Sequence, residues 1–209
     1  MNILVTGFEP FGGAAVNESW QAVQCLEERW VAERHPERLV VARLPVTFAG
    51  APANLSRLLV EHSPQVVVCV GLAAGSRTVR LERVALNVVD ARIPDNAGRS
   101  PVDEPVVADG PVAHLSSLPL KAALGAVRET GVPVSVSNTA GTYVCNATFY
   151  ALAHALAGTD ARAGFVHVPG ADAVPPAEAA RALAAVVRTA ADHRAGRIEE
   201  LVLAAGTEH

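Results

Sequence analysis

The sequence predicts an α/β fold, a single-domain three-layer sandwich in which a mostly parallel central sheet carries helices on both faces. Short apolar runs alternate along the chain with segments of helical period, which is the pattern of βαβ units. One run, residues 66–71, is continuously apolar, as in a strand buried on both faces of a parallel sheet. The 209 residues, half of them hydrophobic, suffice for one sizeable core, so we expect a single domain over residues 1–209.

The first half of the chain is predicted to hold strands and helices in alternation. β-Branched runs indicate the strands, and apolar positions at helical spacing, among them Trp20, Val23 and Trp30, indicate the helices. The strands are predicted over 2–6, 39–45 and 66–71, and the helices over 17–32 and 51–61. Residues 78–90 then alternate between apolar and charged side chains, which predicts strands of less buried character.

The second half begins with a long loop and then continues the alternation. The proline-rich segment 91–112 is predicted to be that loop, and loops of this length in a compact domain are usually functional or partly mobile. Strands are predicted over 134–136 and 164–169, a turn over 138–141, helices over 118–130, 146–157 and 176–194, and a frayed tail over 201–209. Gly158 is expected to close the helix that follows Cys145.

Composition and charge exclude several classes of function. The net charge of −4 and the lack of a dense basic patch with aromatic residues argue against nucleic acid as a partner. No apolar run is long enough to span a membrane, and the first residues show no signal-peptide pattern. Three cysteines without close pairing predict neither a disulfide framework nor a zinc site, so we expect reduced thiols and a cytoplasmic protein.

Cys145 is the candidate nucleophile because it lies where a turn gives way to a helix. Unpaired N–H groups and the positive end of the helix dipole favour a thiolate there, and the same N–H groups suit an oxyanion. The alternative is a small buried residue that packs a helix start. Cys69, inside an apolar strand, and Cys25, inside a helix, are both interpreted as inert packing.

His167 and Glu82 are the candidates for the other two members of a catalytic triad. Of seven histidines, only His167 lies within a strand core and at its C-terminal end. A Cys-His pair needs a third group that orients the imidazole and stabilises its cation, and Glu82 is a carboxylate in an otherwise apolar alternation. The alternatives are a core histidine and a surface glutamate paired with Arg80 or Arg83.

The glycine-bounded loop 7–13 carries Phe8 and Phe11 directly after the first strand. Its glycines have the spacing of a phosphate-binding loop, but Gly13 stands where the lysine is required. Open α/β sheets bind ligands at the carboxyl edge, so the two phenylalanines either line an apolar pocket or anchor the core.

Five stretches together carry a resemblance to a known family. They are Thr-Gly-Phe-Glu-Pro-Phe-Gly-Gly at 6–13 with Asn17, Ser19 and Trp20; residues 71–87, ending Glu-Arg-Val-Ala-Leu-Asn; Asp-Ala-Arg-Ile-Pro-Asp-Asn at 90–96 with Asp-Glu-Pro at 103–105; Ser-Asn-Thr-Ala-Gly-Thr-Tyr-Val-Cys-Asn at 137–146; and Phe-Val-His-Val-Pro at 165–169. In this order they make the chain resemble pyroglutamyl peptidase I (pyrrolidone-carboxylate peptidase), a family of cysteine peptidases, over nearly its whole length. Leu72 and Arg80 depart from the residues usual in the family.

The resemblance implies an omega-peptidase that removes N-terminal pyroglutamate from peptides through a thioester acyl-enzyme. Cys145 would be the nucleophile, His167 the acid and base, and Glu82 the group that orients His167. The substrate-binding residues implied are Phe8, Phe11, Asn17, Val144 and Arg92. No metal or cofactor is implied, and the family is commonly a homotetramer, which implies a homo-oligomer here.

Two other functions are compatible with parts of the pattern. A glutamine amidotransferase also uses Cys, His and Glu on an α/β sheet, but it requires a glycine-bracketed cysteine and a His-x-Glu pair. Here Cys145 is flanked by Val144 and Asn146, and Val168-Pro169 follow His167. A binding domain that kept the pocket and lost activity is the non-enzymatic alternative, which the reactivity of Cys145 would distinguish.

Overall fold

Three apolar strands, Asn2–Phe8, Val66–Leu72 and Arg162–Val168, form the centre of the protein, and the other elements are arranged around them. The computed structural model describes residues 1–206, so residues 207–209 of the predicted tail lie outside the described residues. The strands are β1 Asn2–Phe8, β2 Arg38–Leu44, β3 Val66–Leu72, β4 Val79–Glu82, β5 Val84–Leu86, β6 Ala113–Leu115, β7 Val134–Ser137 and β8 Arg162–Val168. The helices are α1 Glu18–Ala32, α2 Gly50–His62, α3 Leu120–Glu129, α4 Val144–Ala155 and α5 Pro176–Arg194.

Six of the strands form one sheet in the order β2-β1-β3-β8-β4-β7. Every neighbouring pair in it is parallel except β4 and β8, which run antiparallel. The prediction of a mostly parallel sheet is therefore confirmed. Strands β5 and β6 form a separate antiparallel pair beside α4.

Helices cover both faces of the sheet, which confirms the three-layer sandwich. Residues of α1, α3 and α5 pack on one face against alternate strand residues such as Val5, Val68 and Val166. Residues of α2 and α4 pack on the other face against Leu4, Cys69 and the intervening positions. Side chains of successive strand residues point to opposite faces, so an apolar run such as residues 66–70 supplies both cores.

The prediction of less buried strands over 78–90 is wrong for its first part. β4 lies inside the sheet between β8 and β7, and Val79, Leu81 and Glu82 are fully buried. The charges at Arg80 and Glu82 give the strand the alternation of a half-exposed one, although the Glu82 carboxylate is in fact buried against a partner. Surface pairing of Glu82 with Arg80 or Arg83 is likewise contradicted, because its ion pair is with His167.

Smaller differences concern the ends of elements and the long loop. Asn17 is the N-cap of α1 rather than its first residue, and its side chain accepts a hydrogen bond from the N–H of Ser19. The loop after β5 is held in place along its length. The Asn87 side chain bonds the backbone of Val107 and Gly110, and a bridge joins Val89 to Glu104.

Candidate active site

The first turn of α4 meets the carboxyl ends of β1, β3 and β8 at one edge of the sheet. Cys145 is the second residue of α4, and Tyr143 at its N-cap makes no side-chain hydrogen bond to the helix. The N–H groups of a first helical turn have no acceptor within the helix. Together with the helix dipole they favour negative charge on Sγ of Cys145 or on an oxygen bound beside it.

His167, near the end of β8, is held by Glu82 of β4. Nδ1 of His167 lies 2.8 Å from Oε1 of Glu82. The antiparallel register sets this contact, since Glu82 pairs with Phe165, two residues before His167 on the same face. Glu82 is fully buried and, within residues 1–206, its Oε2 has no hydrogen-bond partner. Because little water screens the carboxylate, it interacts strongly with the imidazole.

The surroundings of His167 favour its charged form. Burial lowers the pKa of His167, but the interactions with Cys145 and Glu82 outweigh burial and raise that pKa to about 9. Burial has the opposite consequence for Cys69, where it raises the pKa of the thiol to about 12. An imidazolium beside Cys145 stabilises a thiolate there, whereas Cys69 stays a neutral thiol.

Cys145 and His167 lie on the wall of a cleft of about 140 Å³. This is smaller than the roughly 300–1,000 Å³ of pockets for drug-sized ligands. The other lining residues are mostly apolar or aromatic: Phe8, Phe11, Asn17, Val46, Leu72, Ala140, Tyr143 and Val144. Among the residues that line it there is no carboxylate, lysine or arginine, so the cleft suits a small uncharged group.

The aromatic rings of Phe8, Phe11 and Tyr143 form much of the cleft wall, and other rings that do not line the cleft pack against them. Tyr143 lies between Phe11, with ring centroids 6.3 Å apart, and Phe48, which meets it edge-on at 5.2 Å. Phe8 packs on the buried ring of Phe165 at 6.3 Å. Such contacts favour tilted or edge-on geometry and fix the rings relative to one another.

Comparison with known proteins shows to which family the chain is related. The family model described as pyroglutamyl peptidase matches residues 1–184. The pyrrolidone-carboxylate peptidase of Streptomyces coelicolor is 46% identical, with 99% of each chain covered. That of Pseudomonas fluorescens is 52% identical over 80% of this chain and 78% of the relative.

Solved structures agree with the sequence comparison. The crystal structure of pyroglutamyl peptidase I from Bacillus amyloliquefaciens superimposes with a TM-score of 0.86 at 36% identity, covering 92% of this chain and 98% of that one. Pyrrolidone carboxyl peptidase from Thermococcus litoralis superimposes with a TM-score of 0.88 at 30% identity, covering 97% and 99%.

The chain belongs to the pyroglutamyl peptidase family. It is a cysteine-type hydrolase.

The fold of this family member brings together most of the residues singled out in the sequence. Glu82, Cys145 and His167 converge although they lie on three different elements. Phe8, Phe11, Asn17 and Val144 all line the cleft beside them. Arg92 does not, because its side chain is exposed and is not among the residues that form the cleft.

Asn17 serves the fold as well as the cleft. Its Oδ1 accepts hydrogen bonds from the N–H and the hydroxyl of Ser19, and its Nδ2 donates to the carbonyl of Glu9. These contacts fix the loop between β1 and α1, which carries Phe11. A side-chain amide has two N–H donors, and only one of them is used within residues 1–206, so the other is free for a ligand.

Several residues of the site were not predicted from the sequence. Tyr143, Val46, Leu72 and Ala140 line the cleft without having been assigned to it. Tyr143 could have been assigned to the cleft from its position, because it lies two residues before Cys145. In the sequence Gly71 stands out only as the end of a strand and the start of the 71–87 stretch, yet a methyl group there would lie 2.8 Å from Sγ of Cys145.

Residues 1–206 contain neither a membrane-spanning helix nor a cluster of side chains suited to a metal ion. No helix in that part of the chain is both long and apolar enough to cross a lipid bilayer. No three His, Cys, Asp or Glu side chains in it lie close enough together to hold a metal ion.

The raised pKa of His167 predicts a pH dependence of stability. The imidazolium contributes to the free energy of unfolding below the ordinary histidine pKa of about 6.5. That contribution is lost as the pH rises toward the folded-state pKa of about 9. We therefore expect the free energy of unfolding of the wild type to fall more steeply between these pH values than that of His167→Ala, measured by urea denaturation. Parallel curves for the two proteins would contradict the imidazolium assignment.

Proposed function

We propose that the protein hydrolyses the peptide bond after an N-terminal pyroglutamyl residue, using Cys145, His167 and Glu82 as a catalytic triad. The observation that carries the proposal is the position of Cys145 and His167 on the wall of a small aromatic cleft that is lined by no carboxylate, lysine or arginine. A pyroglutamyl ring is a small neutral lactam, so aromatic walls suit it. Glutamine carries an α-amino and a carboxylate group, and beyond the Cys145–His167 pair the residues that line the cleft offer neither of them an ionic partner.

The acylation step follows from the positions of the three side chains. Sγ of Cys145, as a thiolate, attacks the carbonyl carbon of the pyroglutamyl residue and forms a C–S bond. The first-turn N–H groups of α4 stabilise the negative oxygen that results. The imidazolium of His167 gives its proton to the leaving nitrogen as the C–N bond breaks, which frees the peptide with a new amino terminus and leaves a thioester.

Deacylation uses the same groups in reverse. The now neutral His167 takes a proton from a water molecule, and the hydroxide oxygen bonds to the thioester carbon. The C–S bond then breaks and releases pyroglutamic acid together with the Cys145 thiolate, which again faces an imidazolium. Glu82 accepts a hydrogen bond from Nδ1–H throughout, so that the other ring nitrogen, Nε2, is the one that exchanges protons.

Hydrolysis of three coumarin amides tests the proposal. We expect release of aminomethylcoumarin from the pyroglutamyl substrate at least about 10²-fold faster than from prolyl or glutaminyl analogues, because both analogues bring a charged amine into an apolar cleft. We also expect iodoacetamide to block release. Comparable rates on the prolyl substrate, or release that survives alkylation, would contradict the proposal.

Two statements from the sequence stay predictions. They are the cytoplasmic location and the homotetramer implied by the resemblance.

A further inference from the structure

Residues 94–99, which we name the clasp loop, contact three segments that build the cleft without lining it themselves. The three segments are the loop after β1 with Glu9 and Phe11, the loop after β2 with Val46 and Phe48, and Tyr143 at the start of α4. The clasp loop overlaps the 90–96 motif noted in the sequence at residues 94–96, and the proposed mechanism gives that motif no role.

Asp95 is the centre of the clasp loop. It is 5% exposed, and its Oδ1 accepts hydrogen bonds from the backbone N–H groups of Ala97 and Arg99, each at 2.9 Å. Its Oδ2 accepts another from the N–H of Phe48, also at 2.9 Å. Burial alone raises the pKa of Asp95, but these three hydrogen bonds and the charge of Arg99 outweigh it and lower the pKa below its ordinary value. One carboxylate therefore closes the loop and ties it to Phe48.

Asn96 ties the same loop to the segment that carries Phe11. Its Nδ2 donates to Oε1 of Glu9 and to the carbonyl of Pro10, both at 2.9 Å. Its backbone N–H donates to the carbonyl of Val46, and Oε1 of Glu9 accepts in return from the N–H of Val46. The loops after β1 and β2 are thus joined through the clasp loop.

Tyr143 provides the third attachment. Its hydroxyl donates to the carbonyl of Pro94 at 3.0 Å, while its ring lies between Phe11 and Phe48. A ring held at its hydroxyl end and packed against two other aromatic rings has little freedom to rotate. The wall of the cleft is therefore fixed from behind by the clasp loop.

We propose that the clasp loop is a positioning element that sets the separation of Phe11, Phe48 and Tyr143 and so determines how tightly the cleft holds a five-membered lactam ring. Asp95 is the central positioning residue of the clasp loop. It does not line the cleft, so it touches neither the lactam ring of the substrate nor Cys145. This inference rests on the proposed function, because it assumes that the ring of the substrate occupies the cleft.

Asp95→Asn is the sharpest test, because it keeps the shape of the side chain and replaces one acceptor oxygen with an NH₂ group. The amide loses least when its oxygen keeps Ala97 and Arg99 and its NH₂ faces the N–H of Phe48, which breaks the tie to Phe48 alone. We expect KM for pyroglutamyl-aminomethylcoumarin to rise about 10-fold with kcat within about threefold, as for lost ground-state binding. Asp160→Asn makes the same chemical change on a side chain that is 91% exposed, and should leave both constants unchanged.

Tyr143→Phe removes only the hydroxyl and guards against a folding defect in Asp95→Asn. We expect a threefold or larger rise in KM with an unchanged melting temperature. An unchanged KM in Tyr143→Phe together with an unchanged KM in Asp95→Asn would overturn the inference. A fall in kcat at constant KM in either variant would overturn it too, because the effect would then lie in the chemical step.

Protection of Cys145 by 2-pyrrolidinone separates failure of this inference from failure of the proposed function. The lactam alone should slow alkylation of Cys145 by iodoacetamide in the wild type, and about 10-fold more of it should be needed in Asp95→Asn. If the wild type hydrolyses no pyroglutamyl substrate, the proposed function fails, and the protection assay still decides for or against the clasp loop. Equal protection of Cys145 in the wild type and in Asp95→Asn would overturn the proposed role of the clasp loop.

Discussion

Cys145→Ala is expected to abolish hydrolysis of pyroglutamyl substrates while leaving the fold intact. The substitution removes the atom that would form the thioester, so kcat/KM should fall by about 10⁴-fold or more. Cys145 is only half-buried and lies in the first turn of α4, where alanine is a good helix former. We expect the melting temperature to change by no more than about 4 °C, which corresponds to roughly 1 kcal/mol in a chain of this size. Steady-state kinetics and calorimetry measure the two effects.

Cys25→Ala is the matched control for the loss of a thiol. Cys25 is also half-buried and lies on α1, and burial, with a contribution from Glu28, raises the pKa of its thiol. This variant should keep the wild-type kcat/KM and the wild-type rate of alkylation at Cys145. A Cys145→Ala protein that loses its compact fold would show that the thiol is structural, and one that retains activity would exclude it as the nucleophile.

The sequence was sufficient for the layers of the fold because the decisive patterns are local. A continuous apolar run marks β3, and the switch from a turn to a helical period marks the start of α4 within one or two residues. Cys145 and His167 could be singled out for the same reason, since each lies at the end of an element whose pattern is readable. The carboxyl edge of a parallel sheet then brings such ends together.

The burial of Glu82 could not be predicted from local pattern. Its strand, β4, alternates as a half-exposed strand does, and only its insertion between β8 and β7 buries the carboxylate. That placement depends on an antiparallel strand pairing, and it brings Glu82 to His167, which is 85 positions away in the chain. The pattern singled out Glu82 as a lone carboxylate in an otherwise apolar alternation, and the resemblance to a family supported it, but neither indicated that the carboxylate is buried.

The contacts of the clasp loop were even less predictable from the sequence than the burial of Glu82. Asp95 stands in a loop between prolines and glycines, where an aspartate usually caps a local turn. Two of its hydrogen bonds are of that local kind, but the third reaches Phe48, 47 residues away. No periodicity or spacing in the sequence predicts such a contact between distant residues. For Arg92 the same motif suggested a place in the site, whereas the structure leaves its side chain exposed.

Gly71→Ala is expected to lower both activity and stability, because the new methyl group would clash with the side chain of the nucleophile, Cys145. That group would lie 2.8 Å from Sγ of Cys145 and 2.9 Å from two ring carbons of Phe165. Phe165 is fully buried between Phe8 and Phe149 and has no space to retreat, so Sγ must move instead. A displacement approaching 1 Å costs about 10²-fold in rate, and overpacking of this kind costs about 1–3 kcal/mol of stability. Kinetics with the pyroglutamyl substrate and urea denaturation measure both.

Gly75→Ala separates this steric argument from a general effect of the loop after β3. A methyl group on Gly75 would meet no other atom within 4 Å, so this variant should keep wild-type rates and stability. If Gly71→Ala instead keeps the wild-type kcat/KM, then Sγ can occupy a second position from which His167 still serves it. A single position of Sγ beside His167 would then not be required for turnover. A loss of activity in Gly71→Ala but not in Gly75→Ala would mean that β3 helps to position Sγ of Cys145 by leaving space for it. A strand with no catalytic side chain would then be part of the geometry of the site.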